Sequence, residues 1–414
     1  MKVLIFEQWK GGHYTNYLEY IVPAMSAMCS ELVVAVTKGF FDSNDFQRVC
    51  LASEKCTNLK FDIDVPEANP ACPWQDRLKP LSNLREAVHR NKPDYVFVPS
   101  GDAQNIALGL SAPFSLGRSS TSIAAECIIH WGYGPGAMDF KSRLKRAIYD
   151  TSFSWSSWKR LNFVNFLLYE SHAGKDQHSR IGMVPDPLPR PPVISRQEAR
   201  RLLGVPDDGR MIGFVGRMDG RKAIPELLQA FRRAPLAMTD RLVLAGHLDP
   251  EYTSLIQRDY SDLQRKGRLI VIDRWLTESE MAHGFSAMDT VCLPYYQFPC
   301  LSSLMLRAIA AQRHVLVHDF GWMRAIARRF DVATVCNIYD PSSFGIAMAK
   351  SLEQASRYTF TPAIEALIDY HSPANFLAHS LEGLGNFSGK ATTYHRTSWN
   401  SVMERLKPEQ RILV

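Results

Sequence analysis

Two stretches of this 414-residue chain hold residue types at spacings that could do chemistry. The first is Met211-Ile212-Gly213-Phe214-Val215-Gly216-Arg217-Met218-Asp219-Gly220-Arg221-Lys222. Its apolar run reads as a buried strand ending at Gly216, with Arg217 at the strand's carboxyl end. Lys222 comes five residues later, just before a helical pattern over Pro225–Arg233. Two cations beside a helix N-terminus suit a diphosphate: free N–H groups and the helix dipole favour anions there, and guanidinium matches phosphate geometry. They would also stabilise charge developing on a diphosphate leaving group. Charge and spacing alone leave a surface turn with solvated cations equally open. The second stretch is Leu293-Pro294-Tyr295-Tyr296-Gln297-Phe298-Pro299-Cys300-Leu301-Ser302-Ser303-Leu304. A strand leads into a loop, and a helix opens near Ser302-Ser303. Its first N–H groups could bind phosphate or a polar sugar edge. Simple N-capping by Ser302 is the alternative.

Other constellations carry less. Gly101-Asp102-Ala103-Gln104-Asn105 gathers polar groups at a strand end, so Asp102 and Asn105 are candidate acceptor or sugar contacts, against a turn and helix cap. Asp62-Ile63-Asp64 is a D-x-D pattern at a strand end without the context a metal pair needs, and no metal is expected. Gly132-x-Gly134-x-Gly136 lacks dinucleotide spacing and reads as an acceptor loop or plain turn. Over Lys141–Arg160, Leu144, Ala147, Ile148, Thr151, Trp155 and Trp158 recur at helical spacing, with six cations against the single carboxylate of Asp150. This predicts a helix, either lying on an anionic membrane surface or packed on the first sheet.

The elements that must position these groups are short apolar runs alternating with amphipathic stretches. In the first half the runs are Lys2–Phe6, Leu32–Val36, Leu59–Ile63, Tyr95–Pro99, Ala125–His130 and Phe163–Tyr169. In the second they are Met211–Val215, Leu242–Ala245, Leu269–Ile272, Thr290–Leu293, Val315–His318 and Thr334–Cys336. Near-continuous apolar character is expected of parallel strands covered on both faces by helices. Thr277-Glu278-Ser279-Glu280 reads as a capping box. Pro225 and Pro341 suit first helical turns, where a missing N–H costs nothing. Met183–Pro192 holds five prolines in ten residues, so a semi-rigid linker separates two β/α layers. The expected organisation is 1–184 as the first Rossmann-like domain, 185–195 as linker, 196–385 as the second domain and 386–414 as a tail, with a helix over Thr392–Leu406.

Composition agrees with an ordinary globular chain: 46% hydrophobic and 22% charged residues exclude a disordered or disulfide-stapled class. The net charge of +6 is mild and comes without a polybasic run, so nucleic acid is not an expected partner. The eight cysteines form no C-x-x-C and no zinc spacing, which predicts reduced thiols. The apolar run at Val3–Phe6 is too short for a signal peptide, and no run approaches the roughly 18 residues of a transmembrane helix. The expectation is a cytoplasmic protein, free or peripheral at a membrane.

The two cationic and Ser-rich stretches, in this order and about 80 residues apart, resemble the family 4 (group 1) glycosyltransferases of the GT-B fold. The resemblance covers the second half, through Leu242–Gly246, Ile272–Thr277 and Leu293 to Trp322. It extends more loosely to Gly11-Gly12-His13, Gly101-Asp102 and His130-Trp131-Gly132. It implies two doubly wound Rossmann-like domains facing a central cleft, with the tail crossing back to the first. By that resemblance Arg217 and Lys222 grip the donor diphosphate, replacing a metal as leaving-group electrophiles. The amides of Ser302, Ser303 and Leu304 bind its phosphates, and backbone near Arg274-Trp275 holds the base. Gly11 and Gly12 let the first-domain backbone approach the donor, glycine having no Cβ to obstruct it. His130 matches a strand-end histidine beside acceptor and donor sugar; a satisfied wall or core histidine is the alternative.

One departure stands out. The family usually carries two glutamates eight positions apart in the second stretch, for the donor sugar and the ribose hydroxyls. Pro299 and Arg307 occupy those places here. Arginine cannot accept hydrogen bonds from hydroxyls, so Arg307 would contact ribose differently or pair with phosphate. A branch of the family carries a Ser-Ser-type loop at the first position, and this chain resembles it. The implied activity is transfer of a sugar from a UDP- or GDP-linked donor to a sugar, lipid or glycan acceptor, retaining and metal-independent. No cofactor is expected, the nucleotide sugar being a substrate. Two alternatives stay open: a catalytically inert glycosyltransferase-like partner subunit, and a nucleotide-sugar epimerase, for which no carboxylate set is apparent.

Overall fold

The computed structural model describes residues 1–67, 79–110, 124–130, 143–144, 147, 158–173, 180–192, 194–391 and 393–412. Trp131–Gly136 and most of the Lys141–Arg160 segment lie outside them. The chain forms two compact units. The first comprises Met1–Pro187 and His371–Thr397, the second Leu188–Tyr370 and Ser398–Val414. The tail expected over 386–414 is thus divided between the units.

Among the described residues the first unit holds seven strands: β1 (Lys2–Glu7), β2 (Glu31–Thr37), β3 (Leu59–Val65), β4 (Tyr95–Val98), β5 (Ala124–Ile129), β6 (Trp158–Phe163) and β7 (Ile181–Met183). Their order is β3-β2-β1-β4-β5-β6-β7, and every pair is parallel. The second unit holds β8 (Met211–Val215), β9 (Arg241–Ala245), β10 (Leu269–Ile272), β11 (Thr290–Leu293), β12 (His314–His318) and β13 (Ala333–Cys336). Their order is β10-β9-β8-β11-β12-β13, again all parallel. Val3 to Phe6 and the side-chain-bearing residues of β8 are fully buried, as helix-covered parallel strands must be. Each sheet reverses its strand order once, between β1 and β4 and between β8 and β11. Ligands of doubly wound sheets bind outside the carboxyl ends of the strands at such a switch point.

Local signals acted as the chain chemistry predicts. The Thr277 hydroxyl accepts from the Glu280 N–H at 3.2 Å, while the Glu280 carboxylate accepts from the Thr277 N–H at 2.9 Å. Pro225 and Pro341 sit in the first turns of the helices Ile224–Arg233 and Pro341–Ala355.

Three expectations are corrected. Phe163–Tyr169 is not a strand: β6 ends at Phe163 and a helix runs Phe166–Ala173. Asn165 starts that helix, its side chain accepting from Leu167 N–H at 3.0 Å, a local bond that periodicity does not register. Trp158-Lys159-Arg160 are not helical either. They open β6, and Trp158 is buried in the first unit's core, which a strand between two neighbours allows and a surface helix would not. Thr392–Leu406 forms, among its described residues, only the short helix Trp399–Met403, capped by the Ser398 hydroxyl. No helix of the described residues is long and apolar enough to cross a membrane.

His371–Thr397 joins the first unit through specific contacts. Asp186 N–H donates to His371 Nδ1 at 3.1 Å. The Phe376 ring packs on Tyr17 at 4.7 Å. Glu382 pairs with Arg160, which also faces the buried Glu126 of β5.

Candidate functional site

In the second unit the site is built on glycines at strand ends. β8 is followed by Gly216, with φ of +128°, and β9 by Gly246, with φ of +136°. A Cβ on Gly246 would lie 2.0 Å from the Gly216 carbonyl oxygen. The two strand-end loops therefore meet backbone to backbone, which only glycine permits. A Cβ on Gly216 would sit 3.1 Å from Leu304 Cδ1, so the first turn of the helix Ser303–Ala310 packs directly over the end of β8. Across the switch point, Tyr296 N–H donates to the Arg221 carbonyl at 3.1 Å.

Lys222 is the most perturbed cation of this site. It is 8% exposed, and its Nζ stands 3.5 Å from the Tyr295 ring centroid. Burial pulls its pKa down to about 7, Arg221 pushes the same way, and Asp219 opposes them. A desolvated ammonium over an aromatic face is a chemically strained position that an anion would relieve. Asp219 shapes the loop, accepting from the Arg221 N–H at 3.1 Å and from its guanidinium at 2.7 Å. Arg217 is exposed, and its guanidinium lies 3.6 Å from Asp249, a loose surface pair worth little that leaves it free to swing onto a ligand. The Ser302 hydroxyl accepts from Met305 N–H at 3.3 Å. It caps the helix, while the N–H groups of Ser303 and Leu304 precede the helix's own ladder. Capping and anion binding are thus compatible here.

At the end of β10, Trp275 is exposed and stacks on His247 at 4.7 Å with 25° between planes. Arg274 is held against Glu280 at 2.6 Å; that pairing, with the Thr277 bonds, holds the Glu280 carboxyl down to about 2. Arg307 donates to Glu278 at 2.6 Å.

In the first unit, the ends of β1, β4 and β5 gather a second polar cluster. Gly11 and Gly12 take φ of +83° and +57°, and Gly12 opens the helix His13–Ser26 with no side-chain cap. Asp102 accepts from the His130 backbone N–H at 3.0 Å, and its carboxylate faces His130 Nδ1 at 3.3 Å. A carboxylate at this distance favours the tautomer with its hydrogen on Nδ1, in which Nε2 is an acceptor. His130 Nε2 is buried without a hydrogen-bond partner among the described residues, and its ring lies 4.7 Å from His13 and 5.3 Å from Tyr17. Asn105 is fully buried with its amide likewise unpartnered. Glu7, at the end of β1, is 1% exposed. Burial pushes its carboxyl up to about 8, against hydrogen bonds from Ser100, Trp9 and Gln8, with Asp102 adding to the rise. Asp62 of the D-x-D pattern is taken up by the Arg90 guanidinium at 2.9 Å.

The first unit therefore places buried polar groups without hydrogen-bond partners among the described residues at its switch point, and the second places the buried Lys222 at its own. No family model matches the sequence, and no curated protein does. Comparison with solved structures supplies the architecture. HepE of Anabaena, solved in complex with UDP, superposes with a TM-score of 0.63 at 12% identity, covering 93% of this chain and 100% of its own. The fold is GT-B. Sucrose-phosphate synthase of Thermosynechococcus elongatus matches at 0.63 and 14% identity, over 94% of this chain and 98% of its own. WaaG, a glycosyltransferase involved in lipopolysaccharide biosynthesis, matches at 0.59 and 13%, over 94% and 100%.

Within this GT-B chain the structure brings Lys222, Ser302, Ser303 and Leu304 to one switch point, with Arg217 at its edge. His130, Asp102 and Asn105 gather at the other, near Gly11 and Gly12. Sequence reasoning missed Tyr295, the ring beneath Lys222, and His247, the ring beneath Trp275. It also missed Glu7, a second carboxylate beside Asp102 at the strand ends. One signal was available: Val215-Gly216-Arg217 and Ala245-Gly246-His247 repeat a strand, glycine, nitrogen-bearing side chain pattern, so His247 lies where Arg217 does, one strand over.

Proposed function

We propose that this protein is a glycosyltransferase that moves a sugar from a UDP- or GDP-linked donor to a sugar, lipid or glycan acceptor, with retention of configuration and without a metal. The observation that carries this reading is the buried Lys222 ammonium over Tyr295, beside Arg217 and an open helix start at a switch point. In this reading Lys222 and Arg217 hold the diphosphate and stabilise its charge as the glycosidic bond breaks. The Ser302–Leu304 amides bind phosphate oxygens, and the Arg274–Trp275 segment meets the base. Arg307, tied to Glu278, lies near the ribose or a phosphate. The first unit, 1–184 in its main part, supplies acceptor contacts: His130 accepts a hydroxyl hydrogen bond through Nε2, and Asp102 and Asn105 orient the sugar. The solved complexes of HepE with UDP and UDP-glucose share the fold and support a nucleotide-sugar ligand. We keep the expectation of a cytoplasmic location, with contact at a membrane surface an open partner.

Two other readings each have an observation. Pro299 and the occupied Arg307 favour an inert partner subunit. The buried Glu7, its carboxyl pushed up to about 8, favours an epimerase. Calorimetry with UDP and GDP tests the donor site: replacing Arg217 and Lys222 by Ala should weaken binding by about tenfold to a hundredfold per lost charged contact. Unchanged affinity sinks the assignment. A nucleotide-sugar panel with cell-extract acceptors separates the readings, because a transferase releases nucleotide, an epimerase returns a changed nucleotide sugar, and an inert subunit does neither.

A further inference from the structure

The opposite end of the second sheet carries a cluster that donor chemistry does not use. Asp289 immediately precedes β11 and Arg313 immediately precedes β12, at the amino ends of the strands. A cavity of about 300 Å³ opens there, lined by Pro191, Ile194, Ser195, Arg196, Gln312 and Arg313 among others. Two guanidiniums pair with one carboxylate, and a third, that of Arg313, stands within their electrostatic reach. Arg196 reaches Asp289 Oδ1 at 2.7 Å and Arg200 reaches Oδ2 at 2.8 Å. Arg200 is otherwise spent on the Ala287, Asp207 and Gly209 carbonyls. Arg313 has no ion pair among the described residues, and its Nε is buried without a hydrogen bond.

Arg313 is not needed as a helix cap. The last turn of the helix Ser303–Ala310 is closed by backbone alone, through Ala311 N–H to Arg307, Gln312 N–H to Ile309 and Arg313 N–H to Ala308. Its charge is uncompensated: burial pulls its pKa down to about 10, the neighbouring Arg196 adds to the fall, and Asp289 only partly opposes it. A half-buried charge without a partner is costly and is ordinarily resolved by a counter-ion. The guanidiniums of Arg196, Arg200 and Arg313 outnumber the carboxylates of Asp289 and Asp207 that act on them. Arg196 keeps free donors, since one guanidinium carries five N–H groups. The Ser195 hydroxyl accepts from Glu198 N–H at 3.1 Å and so retains its own hydrogen to donate.

We propose that this cavity is a second anion site, remote from the proposed donor site, which binds a small phosphate monoester dianion between Arg313 and Arg196. The planar fork of Arg313 matches two phosphate oxygens, the anion supplies the counter-charge that Arg313 lacks, and the Pro191 and Ile194 wall accommodates the ester group.

The test uses the full chain carrying Arg217→Ala and Lys222→Ala, so that the donor site is silent, titrated with inorganic phosphate in a calorimeter. Phosphate should bind this protein and the wild type alike at the cavity. Arg313→Gln and Arg196→Gln should each weaken it by about tenfold to a hundredfold, the worth of a charge-assisted hydrogen bond. Arg313→Lys should recover part of the loss. Arg313→Gln removes an unpaired charge, so its melting temperature should be unchanged or higher, which separates lost binding from lost folding. Glycerol 1-phosphate should bind at least as tightly as phosphate, and its exclusion overturns the monoester assignment. Absence of phosphate binding in the donor-silent protein, or affinity unchanged in both glutamine variants, overturns the site itself.

Discussion

Lys222 shows how a single side chain can weaken a fold and serve a ligand. Its pKa in the folded chain is depressed to about 7 from an ordinary 10.5. Between those values the unfolded chain binds more protons than the folded one, so this lysine makes stability rise with pH, and below about 7 its buried charge acts against folding. Lys222→Met keeps the packing on Tyr295 and removes the charge. We expect a higher melting temperature than wild type at pH 6, with the difference narrowing toward pH 10, together with loss of diphosphate binding. A melting curve lowered at pH 6 would show that the ammonium is already satisfied. The residue types and spacing of Arg217 and Lys222 were legible in the sequence. The ring beneath Lys222 was not, because Tyr295 lies more than seventy positions away and only strand pairing brings it close.

At the scale of elements, strand ends and helix starts meet through residues without side chains. Gly246 is the narrowest of these joints: its φ of +136° and the Gly216 carbonyl, which would lie 2.0 Å from an alanine Cβ, both exclude alanine. Gly246→Ala should cost at least about 1–3 kcal/mol from backbone strain alone. It should also weaken nucleotide binding by displacing Arg217; denaturant melts and calorimetry read the two separately. Eleven of the expected strand runs correspond to observed strands, since burial on both faces leaves a continuous apolar signature. The Phe163–Tyr169 run failed because length and hydrophobicity do not distinguish a buried helix from a buried strand, and Asn165 decided the matter locally. Trp158 misled for the opposite reason: its spacing from Trp155 and Thr151 is helical, yet its place is in the sheet core.

At the scale of the whole molecule, the first unit is discontinuous in sequence. Tyr17, Tyr95 and Glu126 are buried in part by His371–Thr397, through Phe376, Phe387 and Gly383. Residues 1–187 expressed alone should therefore lack a cooperative thermal transition and should bind a hydrophobic dye. A sharp melt of that fragment would show that the returning segment is dispensable. Glu126 makes the same point chemically: burial raises its carboxyl to about 7, opposed first by Arg160, and Arg160 is in turn paired with Glu382 of the returning segment.

The amino-acid sequence by itself determined the periodicity, the caps, the proline-rich break and the candidate cations, because each is encoded within a few neighbouring residues. Two doubly wound sheets followed from that pattern. Tertiary structure decided everything that needs residues far apart in the chain to share a desolvated space. It set Lys222 on Tyr295, Trp275 on His247 and His130 against Asp102. It raised Glu7 at the end of β1 and left Arg313 with a charge and no partner. Burial and through-space charge create those properties, and neither is written in local spacing.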